Sequence, residues 1–483
     1  MVCLLVVAAA AVAFSRHITA GGFEFCDEPV HAMDGVLLRD FLMTGPVAWK
    51  DPVGFTLQQY AHHPSLGLVG VYPPGYAMVE ALFFAFFGVS LLAARLLVLV
   101  FALAAVAGTY LLLIRLGSRW FATAAAASLV AMPIVVVWSR RVMLEMPTLA
   151  VVVWLFLALD LYLDCPGRAR LLIVALLAVA AAFFKQTALV VLPAFAWAMV
   201  HAWRKGRVTR AHLVTLLLAV GVPVGTYYGY ALLKGGASAH MTREVATYHG
   251  LPHWLSWKAI FYYPRTLPAQ AGWVVLALAL AGAALCWRGR NWRWMLLALW
   301  FLFALIAGVL VQHKDERFFF LGYFPVAAWA GLGLATVLER IPAGPVRLAI
   351  GGLAVTGLFL AGYLTPVDGA SNYGDLVARY APQLQNRFVL YDSGGVCDGQ
   401  FVFAAREKVG PQKLAVIRGG KVFYSFAWSA QREYTPFVTS REDVRRLLER
   451  YAIDVVFVEL GNPNKLKAVD LLHQELADSQ RYG

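Results

Sequence analysis

The 483-residue chain is poor in charge and in cysteine. Only 14% of its residues are Asp, Glu, Lys or Arg, against roughly a quarter in an average soluble domain, which argues against an ordinary cytosolic enzyme. Five cysteines over this length make no disulfide framework, and without a Cys-x-x-Cys pair there is no zinc ribbon. No Gly-x-Gly-x-x-Gly follows a strand and no P-loop is present, so nucleotide binding has no motif to rest on. What is abundant is apolar sequence: 60% of the chain is hydrophobic, which excludes disorder.

The apolar residues fall into runs that approach the 20 or so residues a bilayer core requires of a helix. They extend over residues 2–14, 89–114, 121–138, 147–163, 171–184, 187–203, 213–233, 267–287, 294–311, 318–337 and 346–364. That makes about 11 spans, of which the first and the one from Leu171 are short. The start lacks a basic stretch and a clear small-residue cleavage site, which favours a retained helix over a signal peptide. The formal net charge of +13 sits in short loops between the runs, so a nucleic-acid partner loses its main support. Alternate loops carry Arg115 and Arg119, Arg168 and Arg170, Arg204 to Arg210, Arg288 to Arg293, and Arg340 and Arg347. The positive-inside bias makes these cytoplasmic. Residues 16–76, the loop 234–265 and everything after Leu364 then lie outside.

Beyond the last run the apolar stretches shorten to strand length, at Phe388–Tyr391, Leu414–Ile417 and Val455–Val458. Thr439 and Glu442 have capping-box spacing for a helix starting there. Strands alternating with helical patterns predict a small α/β domain of about 110 residues. The expected architecture is thus an α-helical polytopic membrane domain, 1–365, with a large first outer loop, 16–76, followed by a soluble α/β domain, 366–483, on the outer face.

Charge at a membrane rim is costly and calls for a reason. Asp27-Glu28 follows the first span directly. The pair suits a general base with a second base or metal ligand, or equally acids starting a helix in a solvated loop. His62 and His63 are candidate ligands or substrate contacts, or plain polar surface. Tyr72-Pro73-Pro74 leads into a short apolar helix, 76–87, expected at the interface. Arg141 and Glu145 stand four apart, consistent with a local ion pair or with an anion-binding arginine. Lys185 lies between two apolar runs, where snorkelling to headgroups is the bland account. His313-Lys314-Asp315-Glu316-Arg317 joins two spans, and Lys314 and Arg317 suit a phosphate. All fall on one side of the expected topology, as a lipid-phosphate substrate reacting at the membrane surface would require.

At these residues the chain resembles the GT-C glycosyltransferases that use polyprenyl-phosphate sugars, especially bacterial relatives of the protein O-mannosyltransferases and of the lipid A aminoarabinose transferase. The resemblance rests on Asp27-Glu28 after the first span, Tyr72-Pro73-Pro74 leading to Phe87-Gly88, and the early Arg95 of the next span. Ser139-Arg140 through Leu144-Glu145 and the run His313 to Phe318 complete it. It covers roughly residues 20 to 340 together with a trailing outer domain. Where the mannosyltransferases have His-Pro-Pro, this chain has Tyr72-Pro73-Pro74.

The resemblance implies an inverting hexosyl- or pentosyltransferase of the bacterial inner membrane. Its donor would be a polyprenyl-phosphate sugar and its acceptor a hydroxyl of a lipid, glycan or protein. Asp27 and Glu28 would be catalytic, with a divalent ion such as Mg or Mn at these two residues if any metal is used. Arg141, Lys185, Lys314 and Arg317 would bind the donor phosphate; His62, His63, Tyr72, Glu145 and His313 would contact substrate. Cys26 and Cys397, both expected outside, are candidates for a disulfide. A transporter or flippase of a lipid-linked sugar is the alternative, but no internal repeat supports it. A non-catalytic scaffold would leave Asp27-Glu28 and the gathered cations without a reason.

Overall fold

The computed structural model describes residues 1–64, 72–233, 256–289, 292–311, 314–366, 372–393, 398–411, 413–427, 433–462 and 464–478. All eleven apolar runs are helical, as backbone in lipid must be to satisfy its own polar groups. Seven helices among the described residues are long and apolar enough to cross a membrane, or eight if the pair Trp257–Ala271 and Trp273–Trp287, bent by 118°, counts as one span. The expected figure of about 11 is therefore not reached on length. Helix α1 (Val2–Ser15) has only 14 residues. A 17-residue helix, Arg168–Phe184, covers the Leu171 run. The run 121–138 is cut in two at Pro133, which starts a new short helix, since proline cannot continue one.

Between α1 and the first long span lie α2 (Glu28–Thr44), α3 (Pro46–Lys50), α4 (Pro52–His62) and α5 (Gly75–Phe87). Next come α6 (Leu91–Leu113), α7 (Arg119–Ala131), α8 (Pro133–Trp138), α9 (Glu145–Asp164) and α10 (Arg168–Phe184). Ser90 caps α6, its hydroxyl accepting from the Ala93 N–H. Later helices pack at glycines: a Cβ at Gly282 would sit 1.9 Å from the Trp329 carbonyl oxygen, and one at Gly333 2.2 Å from that of Leu278. In the interior Trp300 stacks between Phe156 and Phe324, ring centroids 4.5 and 4.6 Å away.

The trailing α/β region holds a three-stranded parallel sheet, β2-β1-β5, formed by β1 (Arg387–Asp392), β2 (Leu414–Arg418) and β5 (Val455–Val458). An antiparallel pair, β3 (Tyr424–Ala427) and β4 (Glu433–Pro436), was not legible in the sequence. The capping box lies one residue beyond its expected place: Ser440 is the N-cap and Asp443 its partner. The reason is that Asp443 returns its carboxylate to the Ser440 N–H, and the same oxygen accepts from Thr439.

This region docks on the loop helices. Both Asp40 oxygens of α2 accept from Arg406 Nη2, at 3.0 and 2.8 Å, and the pair is buried. Phe23 meets Phe403 edge-on at 5.0 Å.

Candidate active site

Two arginines set the stage by capping backbone. Arg95, in the first turns of α6, donates to the carbonyls of Ile18, Ala20 and Gly22. Arg140 donates to those of Ala13 and Phe14 at the end of α1. Buried carbonyls need such partners, and together these bonds pin the stretch that leads into α2.

Asp27 is the N-cap residue of α2, though its side chain makes no capping bond. It accepts instead from Arg317 Nη1 at 2.8 Å. Arg317 stands in a 3-10 turn, Glu316–Gly322, and its Nε lies 3.1 Å from Asp315. The guanidinium also covers the Phe25 ring at 5.0 Å. Burial pushes the Asp27 carboxyl up, but Arg317, His31 and Lys185 outweigh it and leave it below the ordinary carboxylate value.

Glu28 has a different duty. One of its oxygens accepts from the Glu24 and Phe25 N–H groups and the other from that of Val142, each at 2.7 Å. The side chain is 1% exposed and ties the helix start to the 139–145 segment. Burial pushes its carboxyl up to about 7 against those three N–H groups.

Lys185 occupies an extended break after α10 and pairs with Glu145 at the head of α9, both buried. The local Arg141–Glu145 pair left open by the spacing is not formed, because the helix starts only at Glu145. Arg141 instead meets Glu24 at 3.2 Å and covers the Trp138 ring. Tyr72 packs on His31, ring centroids 4.4 Å apart. His31 is 3% exposed, and burial holds it down to about 4, so it is neutral at pH 7; Asp27, Glu145, Lys185 and Arg317 all act on it electrostatically.

Asp27, Arg317, Lys185, Glu145 and Tyr72 thus gather in one place, with Glu28 and Arg141 behind them. The other singled-out residues lie elsewhere. Lys314 donates to the carbonyls of Gly308, Val309 and Val311 and so closes the end of the preceding helix. His62 Nδ1 is 3.2 Å from the Leu414 carbonyl oxygen of β2. His63 is buried beside Arg406, and burial holds it down to about 3. His313 lies outside the described residues, as does Cys397; Cys26 is disulfide-bonded. His31 and Glu24 were missed. Only the one-turn spacing from Asp27 could have signalled His31.

A divalent ion finds no seat on Asp27 and Glu28 in this arrangement. One carboxylate is committed to Arg317 and the other to three N–H groups. Among the described residues no group of three or more His, Cys, Asp or Glu gathers to hold a metal.

Residues 71–227 match the family model of dolichyl-phosphate-mannose-protein mannosyltransferase. No curated protein matches the chain by sequence. Among solved structures the chain is similar to ArnT from Cupriavidus metallidurans bound to undecaprenyl phosphate. That match has a TM-score of 0.60 and 13% identity, covering 87% of this chain and 90% of that one. It is similar also to the apo oligosaccharyltransferase of Archaeoglobus fulgidus, with a TM-score of 0.55 and 11% identity over 93% of this chain and 69% of that one. The chain has the fold of these two solved structures, in agreement with the fold that the sequence resemblance implied. The chain is accordingly a multi-pass membrane protein built on this fold.

Proposed function

We propose that the protein is an inverting glycosyltransferase. It moves a monosaccharide from a polyprenyl-phosphate donor to an acceptor hydroxyl at the outer face of a bacterial inner membrane. The observation that carries this reading is the meeting of Asp27 and Arg317, 290 residues apart in sequence, at 2.8 Å beside the Lys185–Glu145 pair. A carboxylate and two cations at one end of an apolar helix bundle suit a reaction at a lipid headgroup. The match to the mannosyltransferase model and the fold shared with an undecaprenyl-phosphate-bound protein support it.

Asp27 accepts the proton of the acceptor hydroxyl as that oxygen bonds to the anomeric carbon. The bond from that carbon to the phosphate oxygen breaks, and its electron pair leaves with the polyprenyl phosphate. Arg317 and Lys185 stabilise the leaving charge in a site where water is scarce. Arg141 is held one layer back, on Glu24. Tyr72 and His31 offer an aromatic wall to the sugar. No step runs through a metal.

The test is an assay with purified protein and a polyprenyl-phosphate sugar. Release of free polyprenyl phosphate identifies a transferase, whereas relocation of intact donor across a vesicle membrane identifies a transporter. Asp27→Asn is expected to lower turnover about 10²–10⁴-fold, the usual worth of a general base. Full activity of that variant would remove Asp27 from the role.

A further inference from the structure

The two cations suited to a phosphate both have carboxylate partners already. Arg317 is shared between Asp27 and Asp315, and Lys185 is held by Glu145. Three carboxylates therefore face two cations, and the cluster as it stands does not favour an anion. A phosphate can enter only by taking a cation from a carboxylate.

Arg317 is the cation built to be taken. Its side chain is 16% exposed and that of Asp27 30%, so the pair sits at the edge of solvent. Asp315, the N-cap of the same turn, gives the guanidinium a second ionic partner that remains if the first is lost. No described residue takes a hydrogen bond from its Nη2. A phosphate carries more charge than a carboxylate, and its oxygens match the guanidinium fork. Asp27, for its part, is a poor base while the guanidinium neutralises it.

We propose that donor phosphate and Asp27 compete for Arg317, so that Asp27 becomes a free base only after the donor has drawn the guanidinium away. This rests on the reading of the cluster as a polyprenyl-phosphate site and adds a binding order to it. Without donor, the base is locked and an acceptor hydroxyl meets a neutralised carboxylate. With donor, the phosphate arms the base and places the anomeric carbon beside it, so no acceptor is deprotonated without a sugar to receive it.

The test is equilibrium binding of polyprenyl phosphate to the full-length protein in nanodiscs. Removing the competitor should improve binding. If Arg317 rests on Asp27 in about 80–90% of unliganded molecules, Asp27→Asn tightens the dissociation constant roughly five- to ten-fold. Arg317→Gln weakens it, and in the Arg317→Gln background Asp27→Asn has no further effect. Asp27→Ser, a residue suited to the N-cap position, repeats the test should the amide variant fold poorly. Unchanged or weaker binding by both Asp27 variants overturns the exchange. So does tightening that persists without Arg317, since that would reflect general loss of negative charge. If Arg317→Gln itself leaves binding unchanged, the phosphate-site reading fails instead.

Discussion

Glu28 shows how a residue of catalytic type can serve the backbone. Its two oxygens satisfy three N–H groups from segments more than a hundred residues apart. Glu28→Ala leaves those donors buried without acceptors, at about 1–3 kcal/mol for each unmade bond. The expected result is a marked fall in the unfolding temperature in detergent. Its titration has a definite sign. The folded value of about 7 lies above the ordinary 4.5, so the native state binds the proton more tightly than the unfolded chain. The corresponding stability is complete below about pH 4.5 and is lost as pH rises through about 7. Across that window the wild type should lose stability relative to Glu28→Gln, measured as the difference in unfolding midpoints at pH 5 and pH 8. A constant difference would mean that Glu28 stays ionised when buried. Of the Asp27-Glu28 pair, the sequence disclosed the chemistry available at each position but not the division of labour. That division depends on Val142 and Arg317, brought in by the fold from 114 and 290 residues away.

At the scale of elements, α2 carries the proposed base at one end and a domain contact farther along. Asp27 opens the helix, and Asp40, more than three turns on, holds Arg406 of the α/β region. Breaking a buried pair by removing one member costs ~3–5 kcal/mol. Because Arg39 stays 2.7 Å from Asp40, Arg406→Met belongs at the low end of that range. The expected outcome is faster amide exchange in α2 and in the helix Gly399–Lys408, with a lower kcat and little change in KM. Replacing both partners by leucine should recover most of the stability, since hydrophobic substitutes for a buried pair are often neutral or better. Unaltered exchange in α2 would show that the α/β region does not brace the site. Periodicity reveals such helices well, as the eleven apolar runs show, because each run needs only local sequence. The brace was not legible, since Asp40 and Arg406 are ordinary surface residues until tertiary structure buries them together. The β3-β4 pair escaped for a related reason: four-residue strands carry too little alternation to stand out.

At the scale of the whole molecule, α9 works as a ruler. Its first residue, Glu145, belongs to the proposed active site through Lys185. Its last turns carry Asp160 and Asp164, which bind Arg115 and Arg293 from the ends of two neighbouring helices. Twenty residues at 1.5 Å each span about 30 Å, the thickness of a bilayer core. The two charge clusters thus lie at opposite ends of a helix about as long as a bilayer core is thick. The loops with the most arginine adjoin the second cluster; under the proposed topology that end is cytoplasmic and the Asp27 end is outside. Cys165, the residue after α9, is free and exposed at the second end. With Cys3 and Cys286 replaced by serine, a membrane-impermeant maleimide should leave Cys165 unlabelled in intact spheroplasts and label it only after permeabilisation. Lys50→Cys, in α3 of the same loop that carries Asp27, should label in both. The opposite pattern would put Asp27 and Arg317 on the cytoplasmic side, where transfer at the outer face is impossible whatever their geometry.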